Sequence, residues 1–193
     1  MGSVYQELGD FEQAKEFQHR ALNIYLKKLG PDHVDVATTY GNLGSVYQKL
    51  GDFEQAKEFQ HRALNIKPKK LGPEHVHVTS TYSNLGSVYQ ELGDFEQAKE
   101  FQHRALNIKL KKLGPEHVHV ATIYSHLGSV YQKLGDFEQA KEFHHRASNI
   151  RRKKLKPPHV DVSNALENMA TAEQASVALP PFSESNKPSG VME

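Results

Sequence analysis

Apolar residues recur along this chain with the spacing of an α-helix, and the spacing is itself repeated. Phe53, Ala56, Phe59, Ala63 and Ile66 are separated by three, three, four and three residues, which puts all five on one helical face. Upstream, Val36, Tyr40, Leu43, Tyr47 and Leu50 step by four, three, four and three, predicting a second amphipathic helix. Only Gly51-Asp52 separates the two. Glycine can end a helix in the left-handed conformation, and Asp52, with Gln55 three residues on, has the spacing of a capping box. So short a connection allows only an antiparallel hairpin. The Gly-Asp-Phe word recurs at Gly9, Gly51, Gly93 and Gly135, each forty-two residues after the last. A fixed period of that length marks stacked helical repeats, each unable to bury its apolar face alone.

The punctuation fixes the units. Leu29-Gly30-Pro31-Asp32-His33 returns as Leu71-Gly72-Pro73-Glu74-His75 and as Leu113-Gly114-Pro115-Glu116-His117, and Gly then Pro stops one helix and blocks its continuation. The expected organisation is a shortened first repeat over 1–32, full repeats over 33–74, 75–116 and 117–158, a capping helix over 159–179 and a disordered tail over 180–193. Met1-Gly2-Ser3-Val4-Tyr5 aligns with Leu43-Gly44-Ser45-Val46-Tyr47, so the chain opens inside a leading helix, and a fragment of a longer protein is expected. In the last leading helix Glu173 stands where the other repeats carry tyrosine, which suits a helix whose outer side meets water.

Composition narrows the function classes. A net charge of +1 on 193 residues does not suit nucleic acid, and no apolar run or basic leader points to a membrane or to secretion, which leaves the cytoplasm as the expected compartment. Without cysteine there are no disulfides, thiolate zinc sites or cysteine nucleophiles.

The spacing of Tyr40, Leu43, Gly44, Tyr47, Ala56 and Ala63, repeated from Tyr82 to Ala105 and from Tyr124 to Ala147, resembles the tetratricopeptide repeat. The long period is similar to the repeats of kinesin light chain and nephrocystin-3-like proteins. The resemblance implies an all-α, right-handed solenoid of antiparallel hairpins, with Gly44 and Ala56 small where the helices cross. Two positions depart from the family pattern. The aromatic of the trailing helix falls at Phe59, one residue early, with Gln60 in the family position. The terminal proline occurs only as Pro68, where it removes a helical hydrogen bond, so the second trailing helix is expected to kink or stop near Ile66.

Candidate chemistry is sparse. Among the twelve histidines, His19, His61, His103 and His145 are one position multiplied by the repeat. His75 with His77, and His117 with His119, are two apart and are expected on different sides of a helix start, so no metal site follows. Glu54 and Glu58 read as solvated charge around Lys57. No phosphate loop or nucleophile constellation occurs, and an enzyme, cofactor or metal is not expected.

By resemblance, the concave groove is lined by Thr38, Asn42, Ser45, Gln48 and Lys49, then Ser80, Asn84, Ser87, Gln90 and Glu91, then Thr122, His126, Ser129, Gln132 and Lys133. Such hydroxyls and amides can bond the backbone of an extended peptide. Glu7, Lys49, Glu91 and Lys133 alternate in sign and predict an inter-repeat ion-pair ladder. Lys69, Lys70, Lys111, Lys112, Arg151 and Arg152 end the trailing helices and predict a basic rim, opposite an acidic rim of Asp10, Glu12, Glu54 and Glu96. The expected function is a scaffold for protein or peptide segments, acidic ones among them, in a cargo or adaptor role. The alternatives are a ligand-sensing array from a larger signalling receptor and weak end-to-end self-association of otherwise monomeric chains.

Overall fold

A computed structural model describes residues 2–154 and 167–171. Eight helices follow one another: α1 (Gly2–Glu7), α2 (Phe11–Leu29), α3 (Val34–Lys49), α4 (Phe53–Leu71), α5 (Val76–Glu91), α6 (Phe95–Leu113), α7 (Val118–Lys133) and α8 (Phe137–Lys154). A further helical segment covers 167–171. The capping helix expected over 159–179 otherwise lies outside the described residues, as does the tail over 180–193.

The hairpin turn is built as the sequence requires. Gly51 has φ of 80°, where a side chain would be strained, and its N–H donates to Gln48 O at 3.2 Å. Asp52 then serves two helices. Its N–H donates back to Tyr47 O at 3.0 Å, closing α3, and its side chain accepts from Gln55 N at 3.1 Å, opening α4.

Helices pack against their sequence neighbours to make hairpins, and α3 also approaches α5 as α5 approaches α7. The leading helices therefore form the inner layer of the stack and the trailing helices the outer one. Val36, Ala37, Leu43 and Ala63 are fully buried in one cluster with Leu22, Tyr40, Phe59 and Ile66, and Ala105, Leu106, Val120 and Leu127 belong to its counterpart two repeats further on. Each cluster draws from consecutive repeats, so the core runs along the array and is not closed within a unit.

Two details differ from expectation. α4 runs unbroken through Pro68 to Leu71, with the same nineteen-residue length as α2 and α6, and does not stop near Ile66. Pro68 sits in the last turn, where its missing N–H removes one bond only, while Ile66 and Lys67 are held in the buried face and Gly72 N still reaches Pro68 O at 3.0 Å. The residue lying on Gly44 is Gln60. A Cβ at Gly44 would stand 2.7 Å from Gln60 Nε2, and the amide donates to Gly41 O at 3.0 Å. Phe59 stays buried beside it, its ring stacked at 5.2 Å on Tyr47, so both positions of the shifted pair face the core.

Candidate functional site

The inner layer presents the groove residues in a graded row. Thr38, Lys49, Ser80, Glu91, Thr122 and Lys133 are exposed, whereas Asn42, Ser45, Gln48, Asn84, Ser87, Gln90, His126, Ser129 and Gln132 are half-buried. Most hydroxyls are already engaged by their own helices. Thr38 donates to Val34 O at 2.9 Å, Ser45 to Gly41 O at 3.2 Å, Ser80 to Val76 O at 3.1 Å, Ser87 to Ser83 O at 3.2 Å, Thr122 to Val118 O at 3.3 Å and Ser129 to Ser125 O at 3.2 Å. Such back-bonding leaves their oxygens as acceptors. Asn84 Nδ2 crosses to Ser45 Oγ at 3.4 Å, tying adjacent repeats. The side-chain amides of Asn42, Gln48, Gln90 and Gln132 have no partner among the described residues.

The charge ladder is not formed. Glu7, Lys49, Glu91 and Lys133 are exposed, and no ion pair joins them within 4.0 Å. Acids pair locally instead: Glu12 with Lys15, Glu54 with Lys57, Glu96 with Lys99, and Glu16, Glu58, Glu100 and Glu142 with the arginines four residues on. Helical i, i+3 and i, i+4 spacing brings these groups together without cost to the stack. The same contacts partly neutralise the acidic rim.

The basic rim is also redistributed. Lys69, Lys70, Lys112 and Arg152 are exposed, while Lys111 bonds Glu74 at 2.8 Å and, one repeat later, Lys153 bonds Glu116 at 3.1 Å. Arg151 is not on the rim. It is buried, and its Nη1 donates to Ser125 Oγ at 2.7 Å. Arg151 shares its repeat position with Lys67 and Lys109, four residues beyond a buried alanine and hence on the apolar face. Lys67, 7% exposed, donates to Thr81 Oγ1 at 3.0 Å in the seam between α3 and α5. Gly41 makes room for it, since a Cβ there would lie 2.9 Å from Nζ. Desolvation pushes its pKa down to about 8, and desolvation lowers Lys109 as well. This column, buried at Lys67 and Arg151 and half-buried at Lys109, was missed at the sequence level, although the four-residue step from Ala63 to Lys67 signals it.

Lys109 and Lys112 line an open cleft of about 600 Å³ with Ser80, Val76, His75, His117 and His119. The histidine pairs sit together and not on different sides: His75 and His77 ring centres are 5.2 Å apart, and those of His117 and His119 are 5.0 Å apart. The cause is capping, because His75 Nδ1 accepts from His77 N and His117 Nδ1 from His119 N, both at 3.2 Å. Among the described residues no three metal-ligating side chains converge. Three other histidines are structural links. His19, His61 and His103 meet Tyr47, Tyr89 and Tyr131 of the next leading helix at 3.0, 2.9 and 3.1 Å. Burial, then the nearby Lys15, Lys57 and Lys99, lowers the pKa of each.

A stack of antiparallel helical hairpins with a polar inner face defines a helical-repeat interaction module. The family model for the tetratricopeptide repeat matches residues 1–69, 77–153 and 119–176, and the chain belongs to that family. Solved structures share the fold, and two of them illustrate it. One is BtubC (BKLC) of P. vanneervenii, at 27% identity and a TM-score of 0.79, covering 91% of this chain and 70% of that one. The other, from Podosopora anserina, is described as a kinesin light chain with nearly identical tetratricopeptide-like repeats, at 26% identity and a TM-score of 0.78, covering 91% of this chain and 83% of that one. No curated protein matches the sequence. Repeats of this family mediate protein–protein interaction, and no helix among the described residues is long and apolar enough to cross a membrane.

Proposed function

We propose that this chain is a protein-interaction scaffold that holds an extended peptide segment along its leading helices, in a cytoplasmic adaptor role like that of kinesin light chain. The observation that carries this reading is the row of half-buried amides at Asn42, Gln48, Gln90 and Gln132, which have no partner among the described residues. Each offers a donor and an acceptor, as a peptide backbone demands, with no side-chain selectivity. The cations at Lys109 and Lys112, with the exposed Lys69 and Lys70, favour an acidic segment.

The absence of tryptophan provides the test. An acidic peptide bearing one Trp, titrated with the protein, is expected to give a saturable blue shift that added salt weakens and that a neutral scrambled peptide lacks. Asn42→Ala combined with Gln90→Ala should reduce the affinity about tenfold, the loss of one to two backbone hydrogen bonds. A flat titration, or binding unchanged in the double variant, removes the groove as the site.

A further inference from the structure

The cleft between α5, α6 and α7 joins bare apolar surface to cations. Outside α1 and α2, Val76 and Leu113 are the two exposed large hydrophobic side chains among the described residues, at 62% and 43%, and both line this cleft. Val34 and Val118, at the repeat position of Val76, are half-buried, as is Leu71, the counterpart of Leu113. Ile108 completes the wall, half-buried where Ile66 and Ile150 are buried.

Lys109 brings to this cleft a charge that its counterparts keep in the seam. Lys67 takes the space beside Gly41 and bonds Thr81, and Arg151 bonds Ser125. For Lys109 the two positions that receive Lys67 are Ser83 and Ile123. A Cβ therefore stands where Gly41 leaves room, and no hydroxyl stands where Thr81 accepts. Lys109 is half-buried, lines the cleft and has no partner among the described residues. Lys112, one turn on, is exposed in the same lining. Glu74 is the acid among the lining residues, and Lys111 bonds it at 2.8 Å. Three ammonium groups against one carboxylate leave two positive charges in excess. His75 and His117 add donors: each Nδ1 accepts from a backbone N–H, so the neutral ring carries its proton on Nε2.

We propose that this cleft binds a phosphotyrosine side chain of a protein segment. The proposal rests on the reading of the leading helices as a peptide-binding face, which supplies the segment and meets the cleft at Ser80. A phosphomonoester carries close to two negative charges at neutral pH and three strong acceptor oxygens. Lys109 and Lys112 balance that charge, and the histidine N–H groups meet the remaining oxygen lone pairs. A carboxylate would leave one ammonium uncompensated. The tyrosine ring lies against Val76, Ile108 and Leu113, a wall that the short stem of phosphoserine does not cover.

The probe is a short glycine-flanked phosphotyrosine peptide, blocked at both ends and titrated into the intact chain by calorimetry, beside its tyrosine and phosphoserine counterparts. Saturable binding in the micromolar range is expected, at least tenfold weaker for both counterparts. Lys109→Met and Lys112→Gln should each weaken it about tenfold. Val76→Ser, at an exposed position, should weaken it about threefold and leave the acidic Trp peptide of the groove test within about twofold. No binding, equal binding of the phosphoserine peptide, or indifference to Lys109→Met and Lys112→Gln overturns the proposal. Phosphotyrosine binding that persists while the acidic Trp peptide gives a flat titration supports the cleft and removes the groove alone.

Discussion

His61 Nε2 and the Tyr89 hydroxyl lie 2.9 Å apart, and this bond joins the outer helix of one repeat to the inner helix of the next. The ring also meets Phe101 edge-on at 5.8 Å, so one side chain carries a polar and an aromatic contact across the junction.

That seam makes the array sensitive to acid. His19, His61 and His103 have folded pKa values below the ordinary 6.5 because burial disfavours the imidazolium. Below pH 6.5 the unfolded chain therefore binds protons that the folded chain resists, and stability falls as pH falls. Thermal unfolding followed by circular dichroism should show Tm dropping from pH 7.5 to pH 5. The triple variant with glutamine at 19, 61 and 103 should flatten that slope while lowering Tm at pH 7.5.

Lys67 has the opposite window. Between pH 8 and about 10.5 the unfolded chain holds a proton that the buried amine has lost, so stability rises with pH there, and the full cost of the buried charge is felt below pH 8. Lys67→Met is expected to stabilise the protein by about 1–3 kcal/mol at pH 7 and to remove the alkaline rise. Thr81 is not orphaned by the change, because its hydroxyl also donates to His77 O at 2.9 Å. Urea unfolding at pH 7 and pH 10 measures both effects.

Gly86 and Gln102 form a steric pair. A Cβ at Gly86 would lie 2.6 Å from the Gln102 amide nitrogen, and Gln102 is fully buried with its Nε2 on Ser83 O at 3.1 Å. Gly86→Ala should cost about 2–3 kcal/mol as an overpacking change. Shortening Gln102 to Ala in the same molecule should recover part of that loss, giving a coupling of about 1 kcal/mol in a double-mutant cycle.

His144 replaces the glutamine of the earlier repeats and is fully buried, with neither ring nitrogen bonded among the described residues. His144→Gln restores the group that bonds Gly41 O and Ser83 O in the other hairpins, here within reach of the Ser125 carbonyl. A gain of about 1 kcal/mol in unfolding free energy is expected. The gain should grow at acidic pH, because burial and the nearby Arg151 guanidinium both disfavour the charged imidazole.

The fold was legible because local and global signals agree. The Gly51-Asp52 turn, the Gly72-Pro73 stop and the 3.6-residue apolar spacing each specify the same hairpin, and the period copies it. Pro68 misled because a rule for helix interiors was applied to a last turn, where packing of Ile66 and Lys67 prevails. The site was less legible. Which residues share a repeat position can be read directly, but charge partners depend on the stagger between helices: Lys111 finds Glu74 thirty-seven residues away, while Lys49 and Glu91, forty-two apart, do not pair. Lys67 reads as a rim cation from its place near the end of a trailing helix, although its step of four from Ala63 puts it inside.

Because the His–Tyr seam is nearly the same at three successive junctions, no junction is markedly weaker than its neighbours. Drawn out from its two ends, such a chain behaves as a row of matched springs, and its hairpins detach at closely similar forces. The record is then a ladder of even steps, each the contour length of one forty-two-residue unit.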